Sequence, residues 1–474
     1  MNTILATSER GTGGYRLRGR DSSKSEFRSG TPKAYAPRRH PQATTERRVV
    51  HGPAAACALL LTVLSCGYES VSREDEASVS PEAPTVHLQA DLRIGTAYGF
   101  SEEEFGHITA LAVDDSGSVY VGDGRNYVVR KFDRAGAFLL EFGGRGEGPG
   151  EFDGIDGVAA MSDGRVAVVD GFRGVVSLFN SDSGLYDDQW TIPKQWLTWS
   201  RHAVVAREDG GLYIGLPPKM PRDGTPVAWP RPVFAVVDSL GSAVDTVWAP
   251  ERYVERCGTR SSHAVRSGFY EDLRIRYVPK VVWTVNVFGD LFIGCPHTMQ
   301  FDIVADDGMV MASEEVRIES VPVPPAELAW ALDQIRASRS LAYGLAAVND
   351  VGVDPVRQLL DYDYPKYKAA YKTLTAARNG SVWVRLSQRS KEFATPDGVK
   401  YWDNETGGSY EVFDRTGQYV GRATLPQDVW INPDLPSAVA AVIHDEHLWA
   451  VTLDSLNVQY VTRYRIGWPG YEGD

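Results

Sequence analysis

The feature that most constrains this chain is a turn that recurs six times. The copies are Asp-Ser-Gly117-Ser-Val-Tyr-Val121, Ser-Asp-Gly164-Arg-Val-Ala-Val168, Glu-Asp-Gly210-Gly-Leu-Tyr-Ile214, Val-Phe-Gly289-Asp-Leu-Phe-Ile293, Arg-Asn-Gly380-Ser-Val-Trp-Val384 and a degraded His-Asp-Glu446-His-Leu-Trp-Ala450. The first five set a glycine where a tight turn needs positive φ, and every copy then starts an apolar strand. An apolar strand precedes each turn: Ile108–Val113, Gly157–Met161, Ala203–Ala206, Val281–Val287, Thr373–Ala377 and Ala438–Ile443. A third strand and second turn follow, at Val128–Gly136, Val175–Gly184, Val233–Gly241, Phe301–Gly308, Tyr410–Gly417 and Val458–Gly467. Fourth strands such as Phe138–Phe142 and Tyr419–Leu425 close most units.

Repeated four-strand units bury their faces only by stacking on one another. The expected fold is therefore all-β, a six-bladed β-propeller of four-stranded antiparallel blades. The turn spacings of 47, 46, 79, 91 and 66 residues leave room for insertions in the later units. One insertion, residues 324–343 between blades four and five, reads as a helix. Pro324 and Pro325 can start it, and Leu328, Leu332 and Ile335 share a face. Asp354-Pro355 suggests a second short helix start.

Phe142-Gly-Gly-Arg-Gly-Glu-Gly-Pro-Gly-Glu-Phe152, Gly157–Asp170 and Val176-Ser-Leu-Phe-Asn180 resemble the NHL repeat. More narrowly, they are similar to bacterial six-bladed propeller lipoproteins related to NHL proteins. The resemblance covers roughly residues 95–185. It implies a fold and an exported address, and no reaction.

The N-terminus carries that address. Arg47 and Arg48 precede an uncharged apolar run that ends Val63-Leu64-Ser65-Cys66-Gly67. The run is too short to span a bilayer and is built like a signal peptide. Its end resembles a lipobox, which implies lipidation at Cys66 and a membrane-anchored, exported protein. The expected organisation is a disordered basic segment (1–46), whose character suggests a start site set too far upstream, then a signal peptide (47–66). A flexible acidic tether (67–85) and the propeller (86–474) follow.

Charge narrows the partners. Residues 1–48 hold 11 Lys/Arg against 4 Asp/Glu, whereas residues 67–474 hold 38 against 58. An exported body so acidic lacks the basic face that nucleic acid requires. Only Cys257 and Cys295 lie in the body, and in an oxidising compartment they suggest a disulfide. No cysteine/histidine set has zinc spacing.

The loops at one end of the expected blades gather cations: Arg125, Arg173, Arg201, His202, Lys280, His297, Lys372 and Arg385. A concave site of this kind favours an anionic ligand. Asp123 and Asp170 precede Arg125 and Arg173 where such repeats use aspartate to cap a turn, which gives them a structural reading. Trp190, Trp196, Trp199 and Trp229 crowd the third blade's loops; core packing is the favoured reading, and a platform for sugars or a partner protein is the alternative. Enzymatic six-bladed propellers of the gluconolactonase and paraoxonase type hold a central Ca²⁺. Asn286, Asn379, Glu104 and Asp156 make a poor cage of that kind, and cofactors are expected to be none. No nucleophile elbow, HExxH or P-loop is present.

The favoured function is a non-enzymatic, monomeric binding module. It would engage an anionic or carbohydrate-like ligand, or a protein. The alternative is a metal-dependent lactonase or lyase with its site in the channel. Ring closure carries its own expectation. The C-terminal tail has Pro469 and two glycines in its last seven residues and cannot add a strand. Val86–Ile94 alternates apolar and polar residues, and is expected to pair with residues 458–466 as the last blade's outer strand.

Overall fold

The computed structural model describes residues 83–98, 102–193, 203–216, 232–250, 252–253, 281–316, 318–337, 364–394, 400–403, 406–430, 441–454 and 458–469. The chain divides into two units, Met1–Glu76 and Ala77–Asp474, and every described residue belongs to the second.

Strand β1 (Thr85–Ile94) opens the described chain, ahead of β2 (Ile108–Val113), β3 (Val119–Asp123), β4 (Val128–Phe132) and β5 (Phe138–Gly143). β6 (Gly157–Ala160), β7 (Arg165–Asp170), β8 (Val175–Asn180) and β9 (Tyr186–Thr191) follow. Next come β10 (Val204–Ala206), β11 (Leu212–Gly215), β12 (Pro232–Val237) and β13 (Ala243–Trp248). β14 (Val282–Val285), β15 (Leu291–Cys295), β16 (Gln300–Val304) and β17 (Val310–Glu315) precede helix α1 (Pro325–Ala337). Then come β18 (Tyr371–Ala376), β19 (Val382–Leu386), β20 (Lys391–Ala394), β21 (Lys400–Asp403), β22 (Thr406–Phe413) and β23 (Tyr419–Trp430). β24 (Ala441–His444), β25 (His447–Leu453) and β26 (Gln459–Gly467) end the series.

β2–β5, β6–β9, β10–β13 and β14–β17 each form a four-stranded antiparallel meander. The remaining large sheet, in the order β18-β19-β22-β23-β1-β26-β25-β24, joins two more such groups. We refer to these units as sheets one to six in chain order. β20 and β21 form a separate hairpin inserted between β19 and β22, which the sequence pattern did not announce.

The turns explain the meanders. Gly117, Gly164, Gly210, Gly289 and Gly380 have φ between +80° and +92°, and each amide donates to the carbonyl three residues back. The sixth copy differs. Asp445 takes φ +52° in a two-residue turn that pairs His444 with His447, so aspartate does there what glycine does elsewhere.

The inner strands are apolar on both faces because each sheet is covered twice. Tyr120 and Phe142 of sheet one meet Val158, Val166 and Val168 of sheet two. Alternate residues Ala167 and Val169 meet Leu212 and Ile214 of sheet three. Tyr213 and Phe234 then meet Leu291 and Ile293, and Phe292 and Ile303 meet Val382 and Val384. Trp383 and Tyr410 meet Ile443 and Leu448. Finally Trp449, Val451 and Val461 of sheet six meet Leu111, Val119 and Val121 of sheet one. A face-to-face series that returns to its first sheet is an all-β propeller. Each fully buried aliphatic side chain in these layers contributes roughly 1.5–3 kcal/mol.

β1 pairs antiparallel with β26 from His87↔Gly467 to Ile94↔Val461, with a bulge at Asp91. The expected closing strand is thus in place. It begins at Thr85, one residue inside the stretch read as tether. β1 also makes a short parallel pairing to β23, Thr85↔Arg422 and Val86↔Ala423, that the pattern did not suggest.

Candidate functional site

Loops joining second to third strands, and those leading into first strands, share one end of every sheet. At sheet one this loop end is organised by Asp123, which is fully buried. Its carboxylate accepts from the amides of Gly106, His107, Arg125 and Asn126, from the Asn126 side chain and from Arg130. Arg130 also reaches Glu141 at 2.7 Å and the Glu104 carbonyl at 2.9 Å. The Arg125 side chain is exposed on top of this construction.

At sheet two, Asp170 accepts from the amides of Asp153, Gly154 and Arg173. The Arg173 guanidinium donates to the carbonyls of Glu151 (2.6 Å) and Glu147 (2.8 Å). It therefore clamps the glycine-rich loop. That loop looks like an anion cradle, but its own Glu151 fills it: the carboxylate accepts from the Gly148 amide, and a Cβ on Gly146 would stand 2.0 Å from Glu151 Oε2. Asp123, Asp170 and Arg173 thus follow the structural reading.

Arg201, His202 and Lys280 lie outside the described residues, as do Cys66, Cys257, Trp196, Trp199 and Trp229. Trp190 packs in the core, as the favoured reading expects, but on a strand rather than in a loop. It sits buried on β9, with the Arg165 guanidinium 5.4 Å over its ring, because the fourth strand extends through it. Arg385 is a correction, buried within β19 rather than carried on a loop, opposite Thr373 and Tyr410. Lys372 is half-buried in β18, at the irregularity between Tyr371 and Thr373.

His297 lies in the 3-10 turn Pro296–Thr298 that links β15 to β16. Both ring nitrogens are shut away from solvent and have no hydrogen-bond partner among the described residues. Burial pushes its pKa down to about 4, so the ring is neutral. The turn is tied to sheet five, since the Ala370 amide donates to the Pro296 carbonyl at 2.9 Å. His297 therefore belongs to the same loop-end neighbourhood as β18.

That neighbourhood also holds a cluster the sequence pattern did not reveal. Glu327 at the start of α1 is fully buried; Lys368 Nζ lies 3.0 Å from its Oε1 and 2.6 Å from Ser390 Oγ. Lys368 also donates to the Gln388 carbonyl, so helix, strand approach and loop are bolted together. These partners are 20 to 63 residues apart, which leaves no local signal.

Three of the four oxygen donors considered for Ca²⁺ are engaged elsewhere. Asn286 and Asn379 lie in turns and cap them, accepting from Phe288 and Asp290 and from Ser381, and Asp156 accepts from the Gly171 amide. Among the described residues no three metal-ligating side chains converge. A cavity of about 430 Å³ opens where β1 parts from β23, lined by Asp91, Arg93, Pro426, Thr452, Thr462 and Tyr464.

No protein-family model and no curated protein matches the chain. It is similar to a solved member of the DUF4221 family from Bacteroides vulgatus, at 12% identity and TM-score 0.49, over 81% of this chain and 99% of that one. A putative exported protein from Bacteroides fragilis is 13% identical with TM-score 0.43, over 81% and 95%. BamB from Moraxella catarrhalis is 12% identical with TM-score 0.30, over 77% and 85%. The propeller assignment rests on strand pairing and on the apolar layers between sheets.

Proposed function

We propose that this chain is an exported, lipid-anchored propeller of six blades that acts as a non-enzymatic binding module. Its ligand site is at the loop end of sheets four and five. The observation that carries this reading is His297. A buried imidazole with both nitrogens unpaired is costly unless something supplies a donor and an acceptor. A neutral ring suits a hydroxyl group of a carbohydrate-like ligand, and the nearby cationic strand positions Lys372 and Arg385 suit an acidic one. Arg201, His202 and Lys280 are proposed to complete the rim, with exposed Arg125 at its far side. Six apolar layers between successive sheets, the last returning to the first, support the blade count.

Anchoring through Cys66 rests on the lipobox resemblance, and Cys66→Ser is expected to release the protein from membranes. The buried Cys295 is disulfide-bonded, which supports an oxidising compartment and the proposed pairing with Cys257. Calorimetry of the full chain against uronate-containing and neutral oligosaccharides tests the ligand site. Acidic sugars should bind, and His297→Ala should weaken them about tenfold, the worth of one hydrogen bond. Equal binding by wild type and variant removes His297 from the site.

A further inference from the structure

In sheets one to five the outermost part is the turn between third and fourth strands together with the fourth strand. In sheets two, three and four these segments (180–191, 238–248 and 305–315) carry three, two and four acidic residues, and not one lysine or arginine. The matching segments of sheets one and five, 133–143 and 414–425, include Arg134, Arg415 and Arg422. The acidic segments also expose apolar side chains: Leu240 is 83% exposed, Leu185 69% and Met309 66%, with Val244, Trp248 and Met311 close to half exposed. Soluble proteins rarely present so many apolar groups on successive neighbouring elements without a use. β9, β13 and β17 are each the terminal strand of their sheet, so a backbone edge runs beside these side chains. At the border with sheet five, burial and the nearby negative charge of Asp414 raise the pKa of Glu314.

We infer that the outer edges of sheets two to four dock a partner protein through an extended segment that alternates basic and apolar residues. Strand addition at an edge supplies main-chain hydrogen bonds, and alternate side chains supply specificity. Apolar residues of the incoming strand cover Met309, Met311, Val244 or Leu240, and its Lys or Arg residues face the exposed carboxylates. Charge selects this occupant over two others. A second copy would bring the same acidic surface to the contact, and an anionic lipid surface would be repelled in the same way. The docking surface lies along the outer strands and does not use the loop end where His297 sits.

The full chain is titrated with a labelled synthetic peptide of alternating lysine and valine. The same peptide N-methylated at alternate residues and an alternating glutamate–valine peptide serve as comparisons. Saturable binding of the first alone is expected. Two variants, Met309→Ser with Met311→Ser and Asp187→Asn with Asp245→Asn and Glu315→Gln, should each weaken it by about tenfold. All five positions are at the surface, and circular dichroism verifies that both variants fold. The proposal is overturned if the lysine–valine peptide does not bind, or if N-methylation or both variants leave binding unchanged. It is equally overturned if the patch instead drives concentration-dependent dimerisation in sedimentation, or binds phosphatidylglycerol vesicles.

Discussion

Asp123 and Asp170 hold equivalent places, yet they carry different burdens. Both bind backbone amides of the loop that leads into their own sheet, but only Asp123 also meets a buried guanidinium, Arg130 at 3.3 Å. Removing the charge at Asp123 leaves the buried Arg130 to Glu141 and the Glu104 carbonyl alone, and turns an amide donor toward several donors. Asp123→Asn is expected to lose on the order of 3–5 kcal/mol, by analogy with breaking a buried ion pair. Asp170→Asn breaks amide contacts alone and should lose about 1–3 kcal/mol in the same urea titration. His297 gives a pH test with a definite sign. Its folded pKa is lowered to about 4 from 6.5, so between these values the unfolded chain takes up a proton that the folded chain refuses. Stability should fall as pH drops through that window, by up to about 3 kcal/mol, and level off below it. His297→Phe should reduce the slope without abolishing it, because burial also lowers His444 and His447.

At the scale of elements, Cys295 closes β15, and the proposed bridge to Cys257 would tie the segment leading into sheet four to that sheet's second strand. It closes a loop of 39 residues and should contribute about 3–4 kcal/mol in the chain-entropy view. Unreduced peptide mapping should find the 257–295 cross-link, and two alkylatable thiols at these positions would exclude it. Legibility at this scale follows from range. The meander of each sheet is a local grammar of apolar strand, glycine turn and apolar strand, so β2, β3 and β4 stand almost where their pattern put them. Arg385 reads as a loop residue in the sequence because a charged residue ending an apolar run looks like the start of a loop. In fact β19 continues through it and buries it against Tyr410. The Glu327–Lys368–Ser390 cluster and the β20–β21 hairpin were invisible because tertiary contact alone defines the first, and no apolar alternation marks the second. One charge relation spans distant elements. Arg130 faces Glu141 across sheet one, and at the equivalent place in sheet five Glu411 faces Arg422 with the signs exchanged.

For the whole molecule, the decisive contact is the one between the two ends of the folded chain. Sheet six gets three strands from the C-terminus and its fourth, β1, from the N-terminus. β1 buries Val86 and Ile94 almost completely, and at its bulge Asp91 receives both Nε and Nη2 of Arg463 at 2.9 and 3.1 Å. Arg463 Nη1 also donates to the Arg134 carbonyl in sheet one, so a single side chain ties β1, sheet six and sheet one together. The Arg422 amide donates to the Pro84 carbonyl, which extends the tie to sheet five. Without β1, β26 would present an open edge, and the layer between sheets six and one would lose Ile94. Burial of Val86 and Ile94 alone accounts for roughly 3–6 kcal/mol. Deleting residues 86–94 should therefore cost at least about 4 kcal/mol and broaden the unfolding transition, because the sheets on either side of the gap can then separate independently. Deleting residues 67–82, which precede every described contact, should leave the midpoint within about 0.5 kcal/mol of wild type. Calorimetry of the two deletions side by side decides the matter. Equal midpoints would mean that the ring holds without its N-terminal strand.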